Sequence, residues 1–453
     1  MLVKNIHSLV TCDDHNRVLH DVDLLIENGI IKAIGNNIIG HPEDTLIDGR
    51  QLLVYPGLIN THHHFFQSLV RNRVDLDWSQ LSLLQWLQSI YPIFAKMDEE
   101  CIYQATIIAL AELIKSGCTT AFDHQYNYSK NAGSRVIDRQ FEAAQLFGIR
   151  LHAGRGTNTL PMHEGSTIPD LMCETTDQFI DDCERLIGRY HDPRWGSMRQ
   201  VVVAPCQPIN CYPETFREAA ALARAHDVSM HTHLGEGEKA ALQARSGLSS
   251  IDWCIKQDFF GPTCWYAHGW EFSEPEIEQL ASSNTGISHC PAPVFLVGAE
   301  ITNVSYMQRQ GLRLGLGVDG AASNDNSNLA ECLRSAYLLQ CLKAKELSYP
   351  IAEAREYLTM ATRGSAACLN RPDLGQLKEG LCGDFFAINC DRLEYAATLH
   401  DPMALPVKVG INGPVDLTVI NGRIVWQNGE FPYLDEAQLV ARATEVANAL
   451  MAR

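Results

Sequence analysis

The stretch Pro56-Gly57-Leu58-Ile59-Asn60-Thr61-His62-His63-His64 decides how the chain is read. It continues an apolar run that starts at Leu52, has strand character over Leu52–His64, and ends in three consecutive imidazoles. Side chains alternate across a strand, so His62 and His64 share one face and His63 takes the other. Two imidazoles on one face at the end of an apolar strand are a natural pair of ligands for a borderline divalent metal.

Working outward, seven more apolar segments read as strands: Thr119–His124, Arg150–Gly156, Gln200–Pro205, Val228–Glu236, Cys264–Trp270, Gly286–Pro293 and Leu312–Gly320. Helical periods separate several of them, at Asp98–Ser116, Glu214–Ala225, Glu274–Ser282 and Asn328–Leu342. Strands that alternate with helices in this way predict an α/β fold, a (β/α)8 TIM barrel whose site lies at the C-terminal ends of the strands. The chain ends read differently. Residues 22–35 alternate around Asn28-Gly29, and the segments Gly383–Ile388 and Val415–Ile420 are followed by turns at Asn421-Gly422 and Asn428-Gly429, all hairpin signals. The two termini are therefore expected to form a small β-sandwich. The expected boundaries are 1–54 for its N-terminal part, 55–370 for the barrel, 371–435 for its C-terminal part and 436–453 for a closing helix.

Composition narrows the partners. Hydrophobic residues make up 46% and charged residues 20% of 453, enough for a sizeable core. The formal charge is −18, and no stretch gathers Lys and Arg into a patch, which argues against nucleic acid and anionic membranes as partners. No apolar stretch reaches the length of about 18 residues that a membrane span needs, and the N-terminus lacks a signal-peptide core, so a cytoplasmic location is expected. The fifteen cysteines are scattered and form no C-x-x-C pair, which fits reduced, mostly buried thiols.

Later strand ends carry further chemistry: His233 in HTHLGE, His268 in WYAHGW and Asp319 in GLGVDG. Each follows an apolar run that delivers it to the same rim. Burying so many polar groups without a shared purpose would be costly. Three imidazoles and a carboxylate make a good ligand shell with one position open for water, and Asp319 can also take a proton from that water. Gln67, three residues after His64, both donates and accepts, and so can read the N–H/C=O edge of a lactam-like ring. Arg155 can pair with a ring carbonyl or an anionic nitrogen, or can serve a structural ion pair. Trp86, with Phe65 and Phe66, can wall a flat ring, although Phe65 reads as ordinary core. Cys206, at the end of the fourth strand, is a pocket-lining candidate without a base to make it a nucleophile.

The motifs PGLINTHHH, HTHLGE, AHG, HCP and GVDGAASND, in that order, resemble the amidohydrolase superfamily. The longer segments NTHHHFFQSLVRN, GCTTAFDHQYNYS, LPMHEGSTIPD and HCPAPVFLVGAE are similar to its branch that removes amines from oxopurines, pterins and hydroxy-s-triazines. The resemblance implies His62, His64, His233 and Asp319 as metal ligands, His268 beside the metal, and Glu236 as the proton shuttle. It implies one divalent metal, zinc by expectation with iron or manganese compatible, and a homodimer acting on a small N-heteroaromatic substrate. Two-metal relatives carry a bridging lysine on the fourth strand, whereas residues 199–205 contain none. The expected reaction is hydrolytic removal of an exocyclic amine or alkylamine from a hydroxylated ring. An 8-oxoguanine, guanine or pterin deaminase is the alternative, a cyclic amide hydrolase a more distant one, and a non-catalytic binding barrel a third.

Overall fold

The apolar run from Leu52 divides at Gly57 instead of forming one strand. Leu52–Pro56 pairs with strands of the two termini, while Leu58–Asn60 opens the barrel. A Cβ on Gly57 would fall 2.0 Å from Thr119 Oγ1, so only glycine lets the chain pass this closely to the second barrel strand as it crosses between sheets. The structure is a computed structural model that describes residues 1–73, 75, 77, 81 and 83–453.

Eight parallel strands close the barrel: Leu58–Asn60, Cys118–Gln125, Arg150–Thr157, Arg199–Pro205, Ser229–Leu234, Cys264–His268, Gly286–His289 and Leu314–Leu316. Each lies inside or within a residue of its expected segment, but several stop earlier. The seventh ends at His289 because Pro291 sits in the first turn of a helix, Pro291–Val297, where its missing N–H costs nothing. Along the fourth strand Val201 and Val203 pack outward into the large core under the helices, while Val202 points inward to Phe122 and Trp265. That alternation is the period-2 pattern of a filled barrel.

Caps fix the helices that return the chain. Asp98 accepts from the Cys101 N–H before Glu99–Lys115, and Asn328 accepts from the Glu331 N–H before Leu329–Lys343. Both chain ends meet in one eight-stranded sheet that holds Leu2–Val10, Val18–Glu27, Ile30–Gly35 and Leu52–Pro56 next to Phe385–Asn389, Leu417–Ile420 and Arg423–Gln427. The buried pair of Arg150 and Asp384 at 2.6 Å ties this sheet to the foot of the barrel. A final helix runs over Glu436–Ala452. All fifteen cysteines are free, and all but Cys173 and Cys341 are buried. No helix among the described residues is long and apolar enough to cross a membrane.

One buried acid holds the turn that follows the histidines. Asp123 accepts from the Phe65 N–H at 2.5 Å and from Gln140 Nε2 at 2.6 Å, which fixes the short helix Phe65–Leu69 that carries Gln67. Burial pushes the Asp123 carboxyl up to about 7, against the pull of those two hydrogen bonds. Its pKa is raised on folding, so the folded chain holds a proton that the unfolded chain has already shed. The resulting stability is complete below the unfolded pKa and is lost as pH rises through about 7. Chemical denaturation is expected to show wild-type stability falling more steeply than that of Asp123→Asn between about pH 5 and about pH 8, by a difference on the order of 2–3 kcal/mol. Parallel pH profiles for the two proteins would rule this out.

Candidate metal centre

Beyond Asn60 the chain stays extended, stitched on both sides into the barrel. Thr61 N–H donates to Leu316 O and Asp319 N–H to His62 O, while His124 N–H donates to His63 O at 2.7 Å. This register turns His62 and His64 into the barrel mouth and sends His63 outward to Ser327 Oγ at 2.8 Å. His233, from the strand Ser229–Leu234, enters from the opposite wall, with its Nε2 3.0 Å from His64 Nε2. Asp319 Oδ1 lies 3.4 Å from His62 Nε2 and 3.3 Å from His64 Nε2. All four side chains are buried.

The hydrogen-bond partners assign the tautomers. A carbonyl oxygen only accepts, so His231 Nδ1, 3.0 Å from Trp265 O, carries its ring's proton and leaves Nε2 as an acceptor. His62 Nδ1 lies 2.9 Å from that nitrogen and must donate to it, which leaves the His62 Nε2 lone pair inside the site. By the same logic His64 Nδ1 donates to His124 O and His233 Nδ1 to Cys206 O, both at 2.8 Å. Three Nε2 lone pairs and a carboxylate oxygen thus face one point. His62 Nε2 has no hydrogen-bond partner among the described residues and His64 and His233 are close, an arrangement that is stable only around a proton or a cation. Burial lowers the pKa of all three imidazoles, which disfavours the proton and leaves neutral ligands. The donor set fits a divalent metal held by His62, His64, His233 and Asp319.

Around this point two carboxyl groups are pushed apart in acidity. Burial, followed by repulsion from Asp319, Glu238 and Glu271, drives the Glu236 carboxyl well above the usual range. Burial also opposes ionisation of Asp319, yet His268, His64, His233 and the Gly320 N–H outweigh it and hold Asp319 below the usual range. His268 Nε2 lies 3.3 Å from Glu236 Oε1, and burial drops His268 to about 3 despite the pull of Asp319. Both His268, at φ 79°, and Asp319, at φ 65°, occupy the left-handed region, strain that turns their side chains to the centre.

A cavity of about 390 Å3 opens over the histidines, and Gln67, Trp86, Cys206, Tyr126, Asn210 and Trp270 are among its walls. Gln67 Oε1 accepts from the Ala322 N–H at 3.1 Å, and its NH2 has no partner among the described residues. A Cβ on Gly320 would sit 2.0 Å from Gln67 Oε1, so a larger residue there would displace the Gln67 amide. The Cys206 thiol lies 3.9 Å from His233 Nδ1, and burial raises its pKa, as expected of a wall and not of a nucleophile. Phe65 is core, and Phe66 packs against Phe94 and Tyr126.

Arg155 corrects the expectation of a substrate contact. Its guanidinium is spent on Glu174, at 2.6 and 2.8 Å, and on Asp182 at 2.7 Å, and it stacks on Tyr128, away from the cavity walls. A buried guanidinium needs carboxylates to offset desolvation, and these lie 19 and 27 residues along the chain, beyond the reach of a local motif. The clasp anchors the end of the 158–175 loop, from which Thr167 reaches the cavity. Sequence reading missed His231, although it shares a face with His233 by the alternation used for His62 and His64. Tyr126, Asn210 and Trp270 carried no motif of their own.

Comparisons with known proteins agree with this geometry. The amidohydrolase family model matches residues 53–425. The chain is 57% identical over 453 residues to the hydroxydechloroatrazine ethylaminohydrolase of Pseudomonas sp. strain ADP, covering 98% of this chain and 94% of the relative. It is 35% identical over 438 residues to the 8-oxoguanine deaminase of Pseudomonas aeruginosa, covering 95% of each. Among solved structures, atrazine chlorohydrolase from Arthrobacter aurescens TC1 complexed with zinc superposes with a TM-score of 0.92 at 30% identity, over 98% of this chain and 99% of that one. With its barrel, its histidine pairs and its strand-eight aspartate all in the family's order, the chain belongs to the amidohydrolase family.

Proposed function

We propose that the chain is a single-metal aminohydrolase that removes an exocyclic amine or alkylamine from a hydroxylated N-heteroaromatic ring, a hydroxy-s-triazine being the foremost candidate. The observation that carries this reading is the meeting of three Nε2 lone pairs and Asp319 Oδ1 beside a carboxyl, Glu236, that burial pushes well above the usual carboxylate range. The similarity to an enzyme named for hydroxydechloroatrazine supports the triazine, and the zinc of the structural neighbour supports zinc over iron or manganese.

A divalent ion on His62, His64, His233 and Asp319 supplies Lewis-acid activation of water near neutral pH. The protein's own residues do the rest. Asp319, held ionised, can accept the proton that the water loses. Glu236 gives its proton to a ring nitrogen and then, as carboxylate, takes the proton left on the attacking oxygen and passes it to the departing amine, while the proton held by Asp319 returns the Glu236 carboxyl to its starting state, a shuttle for which a carboxyl of raised pKa is suited. His268, 3.3 Å from Glu236, orients that carboxyl and the reacting centre. The free NH2 of Gln67 donates to a ring oxygen, Trp86 supplies a flat wall, and Cys206 closes the pocket beside His233. The donor amide of Gln67 also suits an oxopurine or pterin, which keeps 8-oxoguanine, guanine and isoxanthopterin as the second reading. A cyclic amide hydrolase is disfavoured because residues 199–205 offer no lysine to bridge two metals.

The test is amine release by metal-replete protein from hydroxyatrazine, 8-oxoguanine, guanine and isoxanthopterin. At least one is expected to turn over, with loss of activity on chelation and return with zinc. No turnover at one metal per chain would sink the reading. Glu236→Gln is expected to lower kcat by about 10²- to 10⁴-fold at unchanged metal content. His231→Leu removes the acceptor that fixes the His62 tautomer, and a chelator competition is expected to show metal affinity reduced by about 10- to 100-fold. Wild-type affinity in that variant would contradict the tautomer chain.

A further inference from the structure

The turn that carries Glu236 is built around a second glutamate. Between Leu234 and the helix Lys239–Ser246 the chain passes through Gly235 at φ +70° and Gly237 at φ +92°, so the turn has little stiffness of its own. Glu238, the residue just before the helix, does not cap it. Its side chain turns back instead. Oε1 accepts from the Gly235 N–H and the Ser250 hydroxyl, each at 2.8 Å, and Oε2 accepts from the Glu236 N–H at 2.7 Å. Glu271 completes the clamp by accepting from the Gly237 N–H at 2.8 Å and the Lys239 N–H at 3.3 Å.

Glu238 is only 1% exposed and has no cationic partner among the described residues. Burying a carboxylate without a cation is unfavourable, and here its hydrogen bonds go to the backbone of the residues that present Glu236. We propose that Glu238 is a positioning residue that holds the Glu236 carboxyl in register with His268 and the metal-facing lone pairs. The proposal rests on the reading of Glu236 as the proton-transfer group. It assigns the neighbouring carboxylate no contact with the reacting atoms. A glutamine at 238 could accept through one oxygen only and would turn an NH2 toward a backbone N–H, so the clamp would open at one end.

The test is a double-mutant cycle of Glu236→Gln and Glu238→Gln on the metal-replete enzyme, with hydroxyatrazine, or 8-oxoguanine if that is the compound turned over, as the probe. Glu238→Gln is expected to lower kcat by on the order of 100-fold while KM and metal content stay near wild type. In the Glu236→Gln background the same change is expected to have no further effect, since Glu238 acts only through Glu236. A wild-type kcat in Glu238→Gln, or effects that multiply in the double variant, overturns the proposal while leaving the role of Glu236 intact. Full activity in Glu236→Gln overturns both. If Glu238→Gln does not fold, Ser250→Ala loosens the same carboxylate. It is expected to lower kcat severalfold at constant KM only when Glu236 is present, and an effect that persists without Glu236 overturns the proposal.

Discussion

Lone pairs that face one another inside a protein repel, and the mouth of this barrel contains three of them aimed at the same point as a carboxylate oxygen. His64 and His233 bring their Nε2 atoms to 3.0 Å, and His62 Nε2 finds no hydrogen-bond partner among the described residues. The fold tolerates this because each ring's other nitrogen is tied down, to Cys206 O, to His124 O, or through His231 to Trp265 O. The barrel's own backbone thus sets the tautomers, since the carbonyls of Cys206, His124 and Trp265 act as the acceptors that leave each Nε2 lone pair facing the centre.

The same low-dielectric surroundings sort the two carboxyl groups. Asp319, ringed by imidazoles and an amide, is held below the usual carboxylate range, while Glu236, buried and facing other carboxylates, is pushed well above it. One is fitted to bind and to take a proton, the other to give one. Separation of two acids by their environments alone is how a single pocket can run both halves of a hydrolysis at one pH.

Much of what surrounds the centre is scaffolding that looks functional in one dimension. Arg155 ends a barrel strand, where catalytic residues gather, yet it is consumed by Glu174 and Asp182 in holding a loop against the cavity. Asp123 plays a similar part beneath Gln67. The glutamates at 238 and 271 hold the turn that presents Glu236. Such residues carry the precision of the site without touching its chemistry.

The sequence by itself determined the repeating strand and helix order, the hairpins at both ends, and the chemical residues at strand ends, because period-2 alternation and turn composition are local properties. His62, His64, His233, His268 and Asp319 stood out at strand ends for the same reason, whereas Glu236 was singled out by the resemblance to the family. The break at Gly57, the fate of Arg155, the part of His231 and the walls given by Tyr126, Asn210 and Trp270 were decided only in three dimensions. Each depends on a partner distant in the chain, Thr119 for Gly57, Glu174 for Arg155 and His62 for His231, and no local pattern encodes which distant group will come within hydrogen-bonding reach.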